Sequence, residues 1–315
     1  MDLKNTLIRY ARQFGTLIGL FFLCSVLSIL TPYFLTVSNL LNVTQQTAIN
    51  AIIAVGMTFV IISAGIDLSV GSILAFAGVV LASALQAGWP IPIAIFIGLT
   101  TGGLCGTVNG LLITFGKLPP FISTLGMMSV ARGAALVYTQ GRPISGFGPQ
   151  FRILATGEFL FIPLPVIIMI VIYVVSHFVL TRTKFGLYTY AIGGNEEATK
   201  LSGVNVLFHK TMVYAFSGLT SGLGAVILTA RLNSAQPIAG IMYELDAIAA
   251  TVIGGSSLMG GEGTLVGTLI GALIMGVLRN GLNLLGVSSF LQQIVIGSVI
   301  IIAVLVDAAL KKQRT

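Results

Sequence analysis

The chain has 315 residues, of which 56% are hydrophobic and only 8% charged, with a formal net charge of +7 and a mean hydropathy of +1.02. Soluble domains carry about 25% charged residues, so this composition excludes an ordinary soluble domain and predicts a polytopic membrane protein. The basic residues do not gather into one patch or arm, which argues against nucleic-acid binding.

The N-terminal residues, MDLKNTLIRYARQFG, are basic and lead into an apolar run. No small-residue cleavage site follows between Cys24 and Leu30. We therefore interpret this region as a cytoplasmic tail and first span, not as a removed leader. Cys24 and Cys105 both lie in apolar runs and are interpreted as small buried hydrophobic residues.

Apolar runs of about 20 residues predict membrane-spanning helices, because such a helix covers the ~30 Å hydrocarbon core. The sequence predicts an all-α membrane protein of one transmembrane domain (1–315) with about ten spans. These are 15–35, 45–63, 69–87, 91–115, 120–140, 161–180, 208–230, 243–257, 264–285 and 289–308. The eighth is short and begins with Glu244 and Asp246, so hydropathy alone leaves it doubtful.

The distribution of Lys and Arg predicts the orientation, because cytoplasmic loops hold an excess of these residues. Most of the sixteen lie in the two tails, near Lys117 or in the loop 181–210. Both termini and that loop are therefore predicted to be cytoplasmic. An even number of crossings must then follow Lys210, so the short eighth segment has to cross or enter the membrane.

Two stripes of glycines at four-residue spacing suggest an internal repeat, because residues four apart share a helix face and glycine permits close helix packing. Each stripe leads to an Asn-Gly-Leu sequence, and generic packing would explain either stripe alone. Together, five spans apart, they predict two inverted five-helix halves, 15–140 and 161–308, in which Asp67 and Asp246 occupy corresponding positions. The stripes are Gly98, Gly102, Gly106 and Gly110 before Leu111, and Gly263, Gly267 and Gly271 before Asn280.

Two hydrophilic stretches interrupt the apolar runs. Residues 141–160 are rich in Gly, Pro and aromatic side chains and are either a docking surface or a simple loop. Within 181–210, a short amphipathic helix is predicted, with Asn195 as N-cap and Gly203 as its stop. Its charged face consists of Glu196, Glu197 and Lys200, and its apolar face of Ala198, Leu201 and Val204. From the residues alone, the simplest interpretation is a helix lying on the lipid interface.

No catalytic or cofactor-binding motif is recognisable. The string GLLITFGKL has five residues between its glycines, and Leu118 stands where a phosphate loop needs Ser or Thr. His177 and His209 belong to no Cys/His cluster, and no G-x-S-x-G motif occurs. We therefore predict no catalytic residue, no metal site and no cofactor bound by this chain.

Several long motifs resemble the permease subunit of bacterial sugar ABC importers, specifically the ribose-type branch. The likeness extends from about residue 15 to 308. The motifs are LLNVTQQT (40–47), AVGMTFVI (54–61), SAGIDLSVGS (63–72), AIGGNEEATKLSGVN (191–205), ARLNSAQP (230–237), YELDAIAA (243–250) and NGLNLLGVSS (280–289).

The resemblance implies a translocation subunit in the bacterial inner membrane. It further implies a cytoplasmic ABC ATPase, often with two fused nucleotide domains, which binds ATP and Mg²⁺, and a periplasmic or lipoprotein sugar-binding protein. A second permease copy, identical or paralogous, and surrounding lipid complete the implied partners. The stretch 194–203 matches the family's coupling segment, namely Gly194, Asn195, Glu196, Glu197, Ala198, Thr199, Lys200, Leu201 and Gly203.

A neutral monosaccharide requires uncharged donors and acceptors along its path. The candidates are polar residues within apolar runs: Gln46, Asn50, Asp67, Ser69, Asn109 and Asn280. Hydrogen bonds between helices would explain each of them equally well. For Asp67, three roles remain open: capping the third span, lining or gating the conduit, and pairing with Arg132 or Arg279.

The sequence thus favours the membrane subunit of an ATP-driven monosaccharide importer. A stand-alone ion-coupled secondary transporter is the main alternative, since an inverted repeat with an intramembrane acid suits that class too. A membrane-embedded enzyme or scaffold is disfavoured by the lack of a catalytic constellation. The sequence names neither the sugar nor the partner permease.

Overall fold

The computed structural model describes residues 3–312, with side chains from 15 to 305. It consists almost entirely of α-helices, which confirms the predicted all-α class. In chain order they are α1 (Leu3–Leu30), α2 (Val37–Ile62), α3 (Val70–Gln86), α4 (Ile91–Thr114), α5 (Pro120–Thr139), α6 (Pro149–Thr156), α7 (Leu164–Arg182), α8 (Lys184–Gly194), α9 (Glu196–Leu201), α10 (Val206–Leu232), α11 (Tyr243–Ile253), α12 (Leu265–Leu284) and α13 (Ser289–Lys312).

The strands of the described residues are short and form two antiparallel pairs. The first pair joins β1 (Ile144–Ser145) to β4 (Ser234–Ala235), and the second joins β2 (Glu158–Phe159) to β3 (Ile162–Pro163). Both pairs lie in loops between long helices. The first pair joins two loops, whereas the second is a hairpin within the loop between α6 and α7, and neither builds a core.

Each of the ten predicted spans overlaps one helix, although several helices extend beyond the predicted bounds. Six helices of the described chain are long and apolar enough to cross a membrane: α2, α4, α5, α7, α10 and α12. Shorter apolar helices cover 15–30, 70–86 and 289–305. Helix α11 has 11 residues, about 16 Å of rise, which is about half of the hydrocarbon core. The chain is therefore a multi-pass helical membrane protein, and the count of ten crossings stays a prediction.

The second helix begins well before its predicted span. Thr36 is its N-cap, and the Thr36 hydroxyl accepts a hydrogen bond from the Asn39 N–H. The predicted span began only at residue 45 because the first turns of α2 carry several polar residues, which lower the hydropathy without preventing a helix. The hydropathy of this region therefore located the buried part of the helix and missed its start.

Helices α2 and α10 form the centre of the bundle. In their most apolar windows, 83% and 78% of the residues are buried, against 22% in α4 and in α5. A helix that is apolar on every side is a core helix, whereas α4 and α5 present a large apolar surface for lipid or another helix. Helices α3 and α4 pack against α10, while α11, α12 and α7 pack against α2.

Glycines let α4 and α10 approach until their backbones touch. A Cβ atom on Gly102 would meet the Gly218 carbonyl oxygen, and one on Gly106 would meet the carbonyl oxygen of Tyr214. Close contact of this kind is the usual role of small residues between membrane helices. The first glycine stripe therefore joins α4 to the central helix α10.

The second stripe has a different partner. Gly267 and Gly271 of α12 face Gly254 and Ala250 at the end of α11. Gly263 lies outside the helix, since Thr264 is the N-cap of α12. The two stripes are thus not equivalent in packing, because one faces a central helix and the other faces its neighbour in sequence.

The two ends of the bundle can be distinguished by their loops. We call the end nearest to α9 the α9 end. There, the Gly261 N–H donates to the Ile62 carbonyl oxygen at 2.8 Å, which joins the α11–α12 loop to the end of α2. At the opposite end, here called the β1 end, Ile144 pairs with Ala235.

Part of the stretch 141–160 packs against the bundle, although most of its residues are exposed. Phe151, in α6, is 1% exposed and makes an edge-on contact with Phe147 at 5.6 Å between ring centroids. Both belong to a cluster with apolar residues of α3, α4 and α10. Asn233 stabilises this cluster, because its Oδ1 accepts a hydrogen bond from the Phe147 N–H.

Candidate functional site

The chain between α2 and α3 places a carboxylate inside the bundle. Asp67 is fully buried. Its Oδ1 accepts hydrogen bonds from the Ser69 N–H at 2.9 Å and the Ser69 hydroxyl at 2.5 Å. Its Oδ2 accepts one from the Ser217 hydroxyl of α10 at 2.8 Å. A buried carboxylate needs such donors, because an unsatisfied one is costly in an apolar interior.

A helix from another part of the chain completes this network. The Nδ2 of Asn109, in α4, donates to the Ser69 hydroxyl oxygen at 2.8 Å. Asn109, Ser69 and Asp67 are each 0% exposed. Three of the six predicted path residues therefore form one buried network that joins α3, α4 and α10 near the α9 end.

The three roles left open for Asp67 can now be compared with its contacts. Asp67 accepts the Ser69 N–H, while Ser69 itself precedes the first residue of α3. Its carboxylate therefore orders the turn that leads into α3 and accepts no hydrogen bond from an N–H group of the helix itself. Pairing with either arginine is wrong: Arg132 donates to the carbonyl oxygens of Pro237 and Ala239, and Arg279 binds another acid.

That acid is Asp246, at the first turn of α11. The Arg279 Nη2 donates to Asp246 Oδ1 at 2.9 Å and to Oδ2 at 2.7 Å. Asn50 of α2 adds a bond from Nδ2 to Asp246 Oδ2 at 3.2 Å. The Asp246 side chain is 2% exposed and that of Arg279 is 34% exposed. This charge pair joins α11, α12 and α2, and removal of one partner would leave a buried charge.

The remaining path candidates lie near this pair. Asn280 and Asn39 exchange hydrogen bonds through both side-chain amides, at 2.8 and 3.0 Å, which ties α12 to the start of α2. Gln46 lies half-buried on α2, one turn before Asn50. Both asparagines are buried, so their amides act between helices in this conformation.

The six candidates therefore form two groups, one near each end of the bundle. The structure does not join them into one conduit within a single chain. Sequence reasoning missed Ser217, which lies among other small residues of α10 and carries no distinctive signal. It named Asp246 and Arg279 but not their pairing, because the two lie 33 positions apart on different helices.

The segment between α7 and α10 contains the predicted short helix, α9. The N-cap is confirmed, since Asn195 Oδ1 accepts a hydrogen bond from the Ala198 N–H at 2.9 Å. Gly203 follows the helix with a φ of +84°, a conformation that favours glycine. Glu196 pairs with Lys210 of α10 at 2.9 Å. Leu201 is 90% exposed, so the predicted apolar face of α9 is not covered by this chain.

Helix α8 touches two other segments through glycines. A Cβ atom on Gly193 would meet the carbonyl oxygen of Ile62 and the Gly261 nitrogen. One on Gly260 would lie 2.7 Å from the Cβ of Ala64 and 2.8 Å from the carbonyl oxygen of Gly193. We call Gly193, Gly260 and Gly261 the glycine clasp. It holds α8 against both the end of α2 and the α11–α12 loop.

A second contact strengthens this junction. The Tyr190 hydroxyl of α8 donates to the Gly263 carbonyl oxygen at 2.7 Å. The segment that carries α9 is therefore in direct contact with the turn that leads to Asp67. Among the residues that the structure describes, no group of three or more His, Cys, Asp or Glu side chains is placed to hold a metal ion.

Comparisons with known proteins give consistent matches over nearly the whole chain. Residues 39–304 match the family model described as branched-chain amino acid transport system / permease component. The ribose import permease protein RbsC of Bacillus subtilis (strain 168) is 54% identical over 298 residues, covering 94% of this chain and 92% of the relative. Its namesake in Escherichia coli (strain K12) is 50% identical over 296 residues, covering 93% and 92%.

A more distant relative carries another sugar in its name. The D-allose transport system permease protein AlsC of Escherichia coli (strain K12) is 39% identical over 302 residues, covering 95% of this chain and 93% of the relative. No solved structure matches the chain.

Proposed function

Because the chain belongs to the permease family of ribose-type ABC importers, we propose that it forms the membrane path by which a ribose-like monosaccharide enters the cytoplasm. The observation that carries this proposal is the similarity to ribose import permeases over more than nine-tenths of both chains. Identity to the D-allose relative is lower, at 39%, which favours a ribose-like sugar. The chain is a translocation component, and the energy comes from a partner.

Members of this family act together with an ATPase and a sugar-binding protein. In this proposal, ATP and Mg²⁺ bind to a cytoplasmic ATPase, with separate or fused nucleotide domains, and not to this chain. A second permease copy, identical or paralogous, completes the membrane part. Helix α5 has a large apolar surface, and a Cβ atom added on its Gly126 or Gly133 would meet nothing within 4 Å. Both features are consistent with a helical partner.

Helix α9 and its flanks are the proposed contact with the ATPase. The segment consists of Gly194, Asn195, Glu196, Glu197, Ala198, Thr199, Lys200, Leu201 and Gly203. Its Glu side chains and Leu201 are exposed, as a docking surface requires. Thr199 is buried against the rest of this chain. One side of α9 therefore packs on the permease, and the opposite side is available to contact the ATPase.

The glycine clasp supports a direct route from the ATPase to the path. A push on α9 moves α8, and the clasp holds α8 against the end of α2. Packed elements in contact move as rigid bodies. Closure of the ATPase therefore shifts α2, the turn containing Asp67 and the α11–α12 loop together.

We further propose ten crossings in two inverted halves, 15–140 and 161–308, with both termini in the cytoplasm. The helix pairing supports this arrangement. Helix α10 packs on α3 and α4, and α2 packs on α11 and α12, as expected if α2, α3 and α4 correspond to α10, α11 and α12. The β1 end then faces outward and the α9 end faces the cytoplasm.

Uptake in cells tests the proposal. The chain is expressed with its own ATPase and binding protein in a host without ribose uptake, and accumulation of radiolabelled D-ribose is measured. Accumulation should require all three proteins and should stop when the ATPase carries an inactive nucleotide site. Accumulation with the inactive ATPase, or none in the complete system with all proteins present in the membrane fraction and periplasm, would refute it.

A further inference from the structure

A polar cleft of about 300 Å³ opens where α12 ends and α13 begins. It lies at the β1 end, since α12 starts beside the glycine clasp and rises about 30 Å over its 20 residues. Its polar lining consists of Arg279, Asn283, Ser289, Gln292 and Gln293. We propose that this cleft binds one neutral, hydroxyl-rich monosaccharide on the side where sugar enters. This inference rests on the proposed function and adds the place of binding.

The cleft offers hydrogen-bonding groups that the protein has not used. Gln292 donates from Nε2 to Asn283 Oδ1 at 2.8 Å and to the Val287 carbonyl oxygen at 2.9 Å. These bonds fix both amides in place. The Asn283 Nδ2 and the Gln292 Oε1 make no hydrogen bond to any described residue. The cleft lining thus keeps one donor and one acceptor available, and a sugar hydroxyl can both donate and accept.

The charge in the cleft favours a neutral ligand. Arg279 is the one charged residue of its lining, and its Nη2 is bound to both oxygens of Asp246. The carboxylate thereby compensates the positive charge at close range, so that an anion gains little at this site. The guanidinium uses only Nη2 in this pair, which leaves further N–H donors for hydroxyl oxygens.

The size and walls of the cleft suit a single sugar ring. A volume of about 300 Å³ lies at the lower limit of small-molecule sites, which excludes an oligosaccharide. Three apolar side chains complete the lining: Ile241, Met242 and Ile296. A monosaccharide has C–H surface as well as hydroxyls, so a lining that contains both polar and apolar side chains suits it.

Cysteine protection tests the site directly. In reconstituted permease, a Ser289→Cys thiol lines the cleft, while a Ser145→Cys thiol is exposed in β1 at the same end. Both are labelled with 2-sulfonatoethyl methanethiosulfonate, and the unsubstituted chain, with Cys24 and Cys105, gives the background. D-ribose at ten times its dissociation constant should slow labelling of the Ser289→Cys thiol about tenfold. It should leave the Ser145→Cys thiol unchanged.

Equal labelling of the Ser289→Cys thiol with and without D-ribose, up to molar concentration, would overturn the proposal. If that variant does not fold, Asn283→Ala decides: it removes the free donor from an exposed position, and although it also removes one acceptor of Gln292, the Gln292 amide keeps its bond to the Val287 carbonyl oxygen. ATP-driven D-ribose uptake by Asn283→Ala should fall about tenfold at limiting sugar, the loss of about one hydrogen bond. Wild-type uptake by Asn283→Ala would reject the cleft and leave the importer intact, whereas no uptake by the unsubstituted chain would reject the importer itself.

Discussion

The glycine clasp makes a sharp prediction, because two adjacent glycines of α8 have opposite surroundings. A Cβ atom on Gly193 would meet the backbone of Ile62 and come within 2.5 Å of the Gly261 nitrogen. A Cβ atom on Gly194 has nothing within 4 Å. Gly193→Ala and Gly194→Ala therefore make the same chemical change, one inside the clasp and one outside it.

The magnitude follows from the contacts. To accommodate the methyl group of Gly193→Ala, α8 must move from α2 by roughly 1 Å, since the interior is close-packed. Overpacking of this kind costs about 1–3 kcal/mol. The shift also strains the bond from the Gly261 N–H to the Ile62 carbonyl oxygen, now 2.8 Å, worth about 1 kcal/mol. Gly194→Ala should change the free energy of unfolding by less than about 0.5 kcal/mol.

The assay compares ATP hydrolysis with D-ribose uptake in the reconstituted importer. Gly193→Ala leaves the exposed face of α9 unchanged, so the ATPase should still dock and hydrolyse ATP. A loosened clasp should lower the amount of D-ribose imported per ATP by about tenfold, the equivalent of about 1.4 kcal/mol. Gly194→Ala lies at the edge of the proposed ATPase contact, but its methyl group meets nothing in this chain. A loss of docking would lower ATP hydrolysis and D-ribose uptake together, so this variant should keep the wild-type ratio.

A wild-type ratio of D-ribose to ATP in Gly193→Ala, at an equal amount of folded permease, would refute the proposed route through α2. Equal losses in both variants would also refute it, since they would point to α8 in general and not to the clasp. Thermal unfolding in detergent supplies the amount of folded protein and checks that the expected destabilisation is present.

Three further predictions concern other contacts. Glu197→Lys and Gly203→Asp should lower co-purification of the ATPase with a permease that still inserts into the membrane; unchanged binding and uptake would count against α9 as the docking helix. Asp67→Ala should destabilise the permease by about 1–3 kcal/mol more than Asp67→Asn does, because it leaves the Ser69 and Ser217 donors without an acceptor. Equal melting temperatures of the two variants would contradict a stabilising role for the hydrogen bonds to Asp67. Arg279→Ala should lower the free energy of unfolding by about 3–5 kcal/mol, because it leaves the Asp246 charge unpaired. Adding Asp246→Asn should restore part of that stability. A double variant no more stable than Arg279→Ala would show that the unpaired charge is not the cause.

The membrane class and the positions of most helices could be predicted from the sequence because apolar runs of about 20 residues have few alternatives in a bilayer. The short helix α9 was also predictable, since Asn195 and Gly203 carry local signals for its start and end. Both predictions depend on neighbouring residues only. The start of α2 was predicted poorly because its first turns are polar, although they are helical.

Contacts between distant positions could not be read from the sequence. The bond between Asp67 and Ser217 joins residues 150 positions apart, and no residue near either one specifies the other. The glycine stripes showed which helix faces are small but not which helices they meet, and the second stripe proved to face α11. The cleft beside Arg279 likewise depends on how α12 and α13 turn toward each other, which hydropathy does not determine.

The central claim is that this chain imports a ribose-like sugar with energy from a partner ATPase. D-ribose uptake into proteoliposomes containing the permease is the most direct test, measured with the ATPase, the binding protein and enclosed ATP, and again with each one omitted. We predict uptake against a concentration gradient only in the complete system. Uptake by this chain alone, driven by a proton or sodium gradient, would contradict the account and identify a secondary transporter.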